Sequence, residues 1–286
     1  MINSHFSSGI QDANNCVVLD HEDLSLEKIL NISKKMFRVE IAEPALRRID
    51  ASRNCIEKRI DSGGIYYGIN TGFGALSNVK ISNDNLVELQ RNLILSHSCG
   101  VGDPLDEVTV RTVLVLRIHN ILRGHSGARR EVVEIMKDFL NLRITPFVPC
   151  KGSVGASGDL APLSHIALNL MGEGRVFYGG RLAPAIEILP HLGVTPLVPQ
   201  AKEGLCLING TQVMTAIGLL ACAEVSNLIK SSDIIAAVSL NAFKGTATAF
   251  RKEIQLVRPH KGQLDSSQNV LALLSQDEIL TSHKDC

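Results

Sequence analysis

Apolar and polar positions along the chain alternate in runs that mostly repeat with a helical period. Cys16–Leu19 reads as a short strand, and Ser25 stands where an N-cap belongs before a helix running toward Met36. A second helix is predicted to start at Pro44, because Leu46, Ile49, Ile56 and Ile60 share one face while Arg47, Arg48, Glu57 and Lys58 fall largely off it. The period stops from Asp61 to Asn78, where Gly63, Gly64, Gly68, Gly72 and Gly74 mark a loop able to take unusual backbone angles. Helical spacing returns over Asn85–Leu95, Glu107–Leu122 and Ala128–Leu142, until Pro146 and Pro149 break it. A second glycine-rich loop follows at Lys151–Gly158, and then a helix over Leu160–Met171 with Pro162 in its first turn. Val176–Tyr178 and Leu182–Ala183 flank Gly179-Gly180, the pattern of a tight hairpin. Two long apolar helices are predicted over Thr211–Ile229 and Ile234–Phe250, the first members of a bundle, with a short last element at Val270–Ser275. The fold class expected is mainly α: a mixed N-terminal domain over residues 1–200, then the start of a long-helix bundle over 201–286.

Composition narrows the function. An apolar content of 45% in 286 residues can fill a sizeable core, and 29 basic residues balance 29 acidic ones, so no broad electrostatic footprint exists for nucleic acid or an anionic membrane. A small, weakly charged substrate fits better. Met1–Asn15 is polar and lacks the basic start and apolar run of a secretory signal. The longest apolar stretch, Val213 to Val225, is short for a bilayer and contains Thr215, so no membrane insertion is expected. Seven cysteines without paired spacing imply reduced thiols and a cytoplasmic protein, and nine histidines without HExxH or zinc-ligand grouping imply no metal.

The chemistry concentrates in KGSVGASGDLAPLSH, Lys151–His165, which sets Ala-Ser-Gly in a glycine-rich turn just before a helix. A phosphate loop would need a Lys after the last glycine, which is absent. A serine-hydrolase elbow would need GxSxG, and the run here is GxSG. A plainer reading makes the glycines a tight turn with Ser157 capping the helix. A further reading uses the backbone: the Gly158 nitrogen attacks the Ala156 carbonyl carbon, and two dehydrations leave an imidazolone with an exocyclic methylene. The positive end of the following helix would favour negative charge on the ring oxygen.

GSVGASGDLAPLSH resembles the segment in which the aromatic amino acid lyases form their methylidene-imidazolone cofactor. YGINTGFG (Tyr67–Gly74) is similar to that family's catalytic tyrosine loop, LSHSCGVGDPL (Leu95–Leu105) to its substrate-selectivity segment, and LINGTQ (Leu207–Gln212) to its cofactor-supporting asparagine motif. RPHKGQ (Arg258–Gln263) matches a segment typical of the histidine branch. The resemblance implies that Ala156, Ser157 and Gly158 build the electrophile, and that the Tyr67 phenol assists removal of a substrate proton. It also implies that Asn209 supports the cofactor, and that Ser96 and His97 choose an imidazole substrate, where other branches carry Phe-Leu or His-Leu. The local alternatives are a packed aromatic beside Tyr66 for Tyr67 and an N-cap of the next helix for Asn209. His119, His125 and His165 are expected to be structural.

By this resemblance the reaction is loss of ammonia from L-histidine to give trans-urocanate, in a homotetramer with no metal. Alternatives are a phenylalanine or tyrosine lyase, an aminomutase of the same cofactor class, or a non-catalytic protein of the same fold. The family continues into a helical region with a Gln-Asp-x-Tyr-Ser-x-Arg motif for the substrate carboxylate and a later glutamate, and neither occurs here. From that comparison the bundle is expected to be incomplete and the isolated 286-residue chain inactive.

Overall fold

The computed structural model describes residues 15–74 and 77–275. The chain divides into two compact units, Met1–Gly218 and Leu219–Cys286.

The first unit opens with β1 (Cys16–Leu19), α1 (Leu26–Ser33) and β2 (Arg38–Ile41), where β1 and β2 pair in parallel across the helix. Ser25 is the α1 N-cap, its hydroxyl accepting from Lys28 N. β2 was missed in the sequence because four residues, RVEI, carry too little alternation to stand out. Asn141 secures it, donating to Val39 O and accepting from Val39 N at 2.9 and 2.8 Å. Next come α2 (Glu43–Asp61), α3 (Leu86–His97), β3 (Val101–Pro104), α4 (Glu107–Leu122) and α5 (Arg130–Asn141).

α4 is the centre of the core. Val110, Val113, Leu114, Val115, Ile118, Ile121 and Leu122 are all buried, so apolar residues surround it rather than line one face. Asp106 caps it, accepting from Thr109 N and Thr109 Oγ1 at 2.9 and 2.6 Å. Burial alone would raise the Asp106 pKa, but these hydrogen bonds outweigh it and the net shift is downward. α5 by contrast is amphipathic, turning Val132, Val133, Met136, Phe139 and Leu140 inward.

β4 (Thr145–Pro146), β5 (Pro149–Lys151), α6 (Leu160–Leu170), β6 (Arg175–Tyr178), β7 (Arg181–Pro184), α7 (Ala185–His191) and α8 (Glu203–Ile208) complete the unit up to the next helix. The expected hairpin is β6–β7, turning at Gly179-Gly180. β5 pairs antiparallel with β3, so the chain enters the second glycine-rich loop from a sheet edge. The expected domain end at residue 200 moves to Gly218, because α8 buries Glu203, Cys206, Leu207 and Ile208 against the first unit.

α9 (Gln212–Ala242) is a single helix where two were expected. Residues 230–233, between the two expected helices, do not turn the backbone; Asp233 instead accepts from Ser266 Oγ and Asn269 Nδ2 at 2.7 and 2.9 Å. The helix ends where Lys244 takes φ 52° and Gly245 N returns to Leu240 O. Within the second unit, α10 (Lys252–Leu256) and α11 (Lys261–Leu273) follow, and α11 starts nine residues earlier than expected. Its Val270 packs with Ala237 and Leu274 in a small core.

By length and composition one helical stretch, Glu203–Ala242, is long and apolar enough to cross a membrane. The stretch Val213–Val225 singled out in the sequence is only the apolar middle of this longer helical run, whose later part carries Lys230 and Asp233.

Candidate active site

Three packed helices, α3, α6 and α8, bring the singled-out segments together. α8 is short and begins after Lys202 in the left-handed region, so it depends on anchors rather than on propensity. Glu203, fully buried, accepts from Arg129 N, Nε and Nη2, each at 2.9 Å, and from Gln200 N at 2.7 Å. This forked hydrogen bond from Arg129 raises the guanidinium's own pKa. Gly204 N donates to the buried Gln90 of α3 at 2.9 Å, and a Cβ there would sit 3.0 Å from the Gln90 backbone oxygen. Arg129→Met should therefore destabilise the chain by about 3–5 kcal/mol, since it leaves the Glu203 charge buried without its partner. A urea-denaturation midpoint within error of the parent would refute that anchor.

The second glycine-rich loop leaves β5 and reaches α6. Gly152 lies against Gly100 and Ala161; an added Cβ would come within 3.0 Å of Gly100 Cα. At the far end Gly158 (φ 140°) is buried, and a Cβ would come within 2.8 Å of both Asn209 Oδ1 and Gly210 N. Only glycine fits there. Asp159 N donates to Gly210 O at 2.7 Å, so the loop is pinned to the 209–210 turn just after the triplet. Ala156 and Ser157 are exposed.

Ser157 does not cap α6. Asp159 holds that position, and its carboxylate turns away from its own helix to accept from Ser153 Oγ at 2.7 Å and from Met214 N, in the first turn of α9, at 2.9 Å. A buried carboxylate at a helix N-terminus is held by both the amide and the helix dipole. Nor does Asn209 cap α9. It closes α8 instead, its carbonyl accepting from Arg117 Nη1 and Nη2 at 3.3 Å, with its side-chain oxygen against Gly158.

The Tyr67 loop leans on α8 as well. Gly68 (φ 72°) approaches Leu205 so closely that a Cβ would lie 2.5 Å from Cδ2. The buried Asn70 ties the loop by accepting from Tyr66 N and donating to Gly64 O, at 2.8 and 2.7 Å. Tyr67 itself is 62% exposed, meeting Phe73 edge-on at 6.1 Å. Tyr66 stacks under Arg59 instead, so the two tyrosines do not form the packed pair that was the local alternative. Among the described residues no direct contact joins Tyr67 to the triplet.

Ser96 and His97 end α3. Ser96 Oγ donates to Leu93 O at 2.9 Å, and His97 Nδ1 lies 2.8 Å from the same oxygen. A carbonyl only accepts, so Nδ1 carries the proton and Nε2 presents a lone pair. His165 serves the fold: its Nε2 accepts from Gly100 N at 3.0 Å, and burial holds its pKa below the usual histidine value.

Arg117, Asp159 and the Arg129–Glu203 pair went unassigned in the sequence. A signal existed for Arg117, a charge inside the apolar run Val113–Leu122, and for Asp159, which directly follows the triplet.

Residues 24–286 match the family model of the aromatic amino acid lyases, and the chain belongs to that family. The histidine ammonia-lyase of Sorangium cellulosum is 46% identical over 266 residues, covering 92% of this chain and 52% of that protein. That of Alkaliphilus oremlandii is 44% identical over 265 residues, 93% of this chain and 52% of that one. Among solved structures, histidine ammonia-lyase from Trypanosoma cruzi superposes with a TM-score of 0.83 at 38% identity, covering 90% of this chain and 50% of its own. Tyrosine aminomutase from Streptomyces globisporus gives 0.85 at 35%, covering 90% and 49%. The chain spans about half the length of the curated relatives it matches.

Proposed function

We propose that this chain carries the cofactor-forming half of a histidine ammonia-lyase site, which converts L-histidine to trans-urocanate and ammonia. The observation that carries the reading is the clamp on Gly158: a residue that can only be glycine, held against Asn209 and Gly210, follows an exposed Ala156-Ser157 pair.

These residues fit a methylidene-imidazolone. Ring closure forms a bond from Gly158 N to the Ala156 carbonyl carbon. The Ala156 oxygen leaves as water with the amide protons of Gly158 and Ser157, and the Ser157 hydroxyl leaves as a second water with the Ser157 Cα proton. Exposure leaves the Ser157 hydroxyl free to depart while Cβ stays as the methylene, and glycine at 158 removes the Cβ that would block approach. The group supplies an electrophile that activates the substrate for loss of ammonia. Asn209 Oδ1, set against Gly158, positions the ring's edge. Tyr67, on a loop braced by α8, offers a phenol to take the substrate's β-proton.

Substrate choice rests on His97. With Nδ1–H committed to Leu93 O, its half-exposed Nε2 can accept from an imidazole N–H, an interaction a phenyl ring lacks. The identities of 44–46% to histidine ammonia-lyases favour the same substrate. The fold alone does not choose, since the aminomutase superposes as well. A homotetrameric enzyme without metal completes the proposal. The exposed apolar side chains of α9, among them Leu228, Ile235 and Val238, call for cover by further protein surface.

Active enzyme carrying this sequence should produce urocanate absorbance from L-histidine, and His97→Leu should lower kcat/KM for histidine by about 10-fold, the value of one hydrogen bond. Cinnamate or coumarate formed faster than urocanate would move the assignment to another branch of the family.

A further inference from the structure

The guanidinium of Arg117 is buried in the middle of α4, with the side chain's residue only 3% exposed. Its hydrogen-bond partners are neutral: Asn209 O takes Nη1 and Nη2 at 3.3 Å, and Gln212 Oε1 takes Nη1 at 2.9 Å. Nε is buried without a partner. A buried cation facing only neutral acceptors is costly, and every neighbour in the run Val113–Ile118 shows that an aliphatic side chain would suit the helix. Packing does not explain the charge.

What the charge touches does. The Asn209 carbonyl and the Gly210 N–H belong to one peptide unit, so a cation on the oxygen polarises the N–H. With Asn209 Oδ1 at 2.8 Å, the Gly210 nitrogen and carbonyl oxygen are the atoms nearest the missing Cβ of Gly158, at 2.8 and 3.0 Å, and the same carbonyl accepts from Asp159 N. From the other side a Cβ on Gly210 would lie 2.3 Å from Arg117 Nη1. The turn is thus a thin wall with the guanidinium behind it and the ring-closing glycine in front.

We infer that Arg117 is a positioning residue for cofactor formation: it braces the Asn209–Gly210 turn against Gly158 and so speeds closure of Gly158 N onto the Ala156 carbonyl. The inference rests on the imidazolone reading above. Bond changes are those already given, and Arg117 neither gains nor loses a proton in them.

Arg111 supplies the control. It lies on the same helix, is equally buried, and likewise donates to two carbonyls, Leu140 O at 3.0 Å and Ile32 O at 2.9 Å, but it does not touch the 209–210 turn. The experiment follows, by intact mass at intervals after induced synthesis, the fraction of soluble chains that have lost two waters. Arg117→Met should slow the loss at least about 10-fold, Arg117→Lys about 3-fold, and Arg111→Met not at all, whatever each does to thermal stability.

Closure at the parental rate in folded R117M overturns the inference. If R117M does not fold, R117K decides: parental closure there overturns it equally. Slowing of R111M to the same degree as R117M also overturns it, because the effect would then be general loss of stability. A parent chain that keeps both waters overturns the imidazolone reading and this inference with it, whereas a closing parent with unaffected Arg117 variants overturns this inference alone.

Discussion

Ser157→Ala is expected to leave a folded chain that never completes the electrophile and has no lyase activity. The side chain is exposed and caps nothing, so its removal takes away neither a buried contact nor a helix-end hydrogen bond. Stability should stay within about 0.5 kcal/mol of the parent, as for a surface change. The hydroxyl is nevertheless the only source of the second water, and without it no exocyclic methylene forms. Turnover should fall by more than about 10⁴-fold, the upper end of what loss of one positioned acid or base costs. The mass should differ from the parent's in keeping the second water's worth of hydrogen at residue 157. In a full-length enzyme carrying this sequence, histidine turnover by S157A within about 10-fold of the active parent would remove Ser157 from the chemistry.

Tyr67→Phe should separate proton transfer from cofactor formation. The ring is largely exposed and keeps its edge contact with Phe73 when the hydroxyl goes, so neither the helical signal nor the loss of two waters should change. What disappears is the phenolic oxygen. In a full-length enzyme carrying this sequence, turnover should drop by about 10²- to 10⁴-fold, with kcat taking most of the loss. A decrease of only a few-fold would make Tyr67 a packing residue of the loop that Gly68 and Asn70 hold in place.

Long periodic elements were legible from the chain alone. Glu107–Leu122 is a helix over the expected residues, and the Gly179-Gly180 hairpin turns where its glycines allow it. Three short elements were not: β2 is only four residues, α7 carries Pro190 inside it, and α8 opens with Glu203-Gly204, which reads as loop until Arg129 and Gln90 are seen to hold it. The polar residues between Ile229 and Ile234 interrupt the apolar pattern of α9, and local composition does not reveal that Ser266 and Asn269 satisfy Asp233.

The candidate site divides in the same way. Ala156, Ser157, Gly158, Tyr67, Ser96, His97 and Asn209 sit in short motifs whose residue types announce themselves. The residues that hold those motifs in place do not. Arg117 meets Asn209 across 92 positions, Arg129 meets Glu203 across 74, and Asp159 reaches Met214 across 55. One sequence records each partner but not the pairing, so the side-chain oxygen of Asn209 against Gly158, rather than at the head of α9, is visible only in the fold.

The central claim is that the backbone at 156–158 becomes the electrophile, and peptide mass spectrometry tests it without any substrate. The measurement is the mass of the proteolytic fragment containing Ala156-Ser157-Gly158 from the purified wild-type chain. The expected fragment is lighter than its encoded sequence by two waters, both lost within the triplet. A fragment at the full encoded mass, from protein shown to be folded, would contradict the claim.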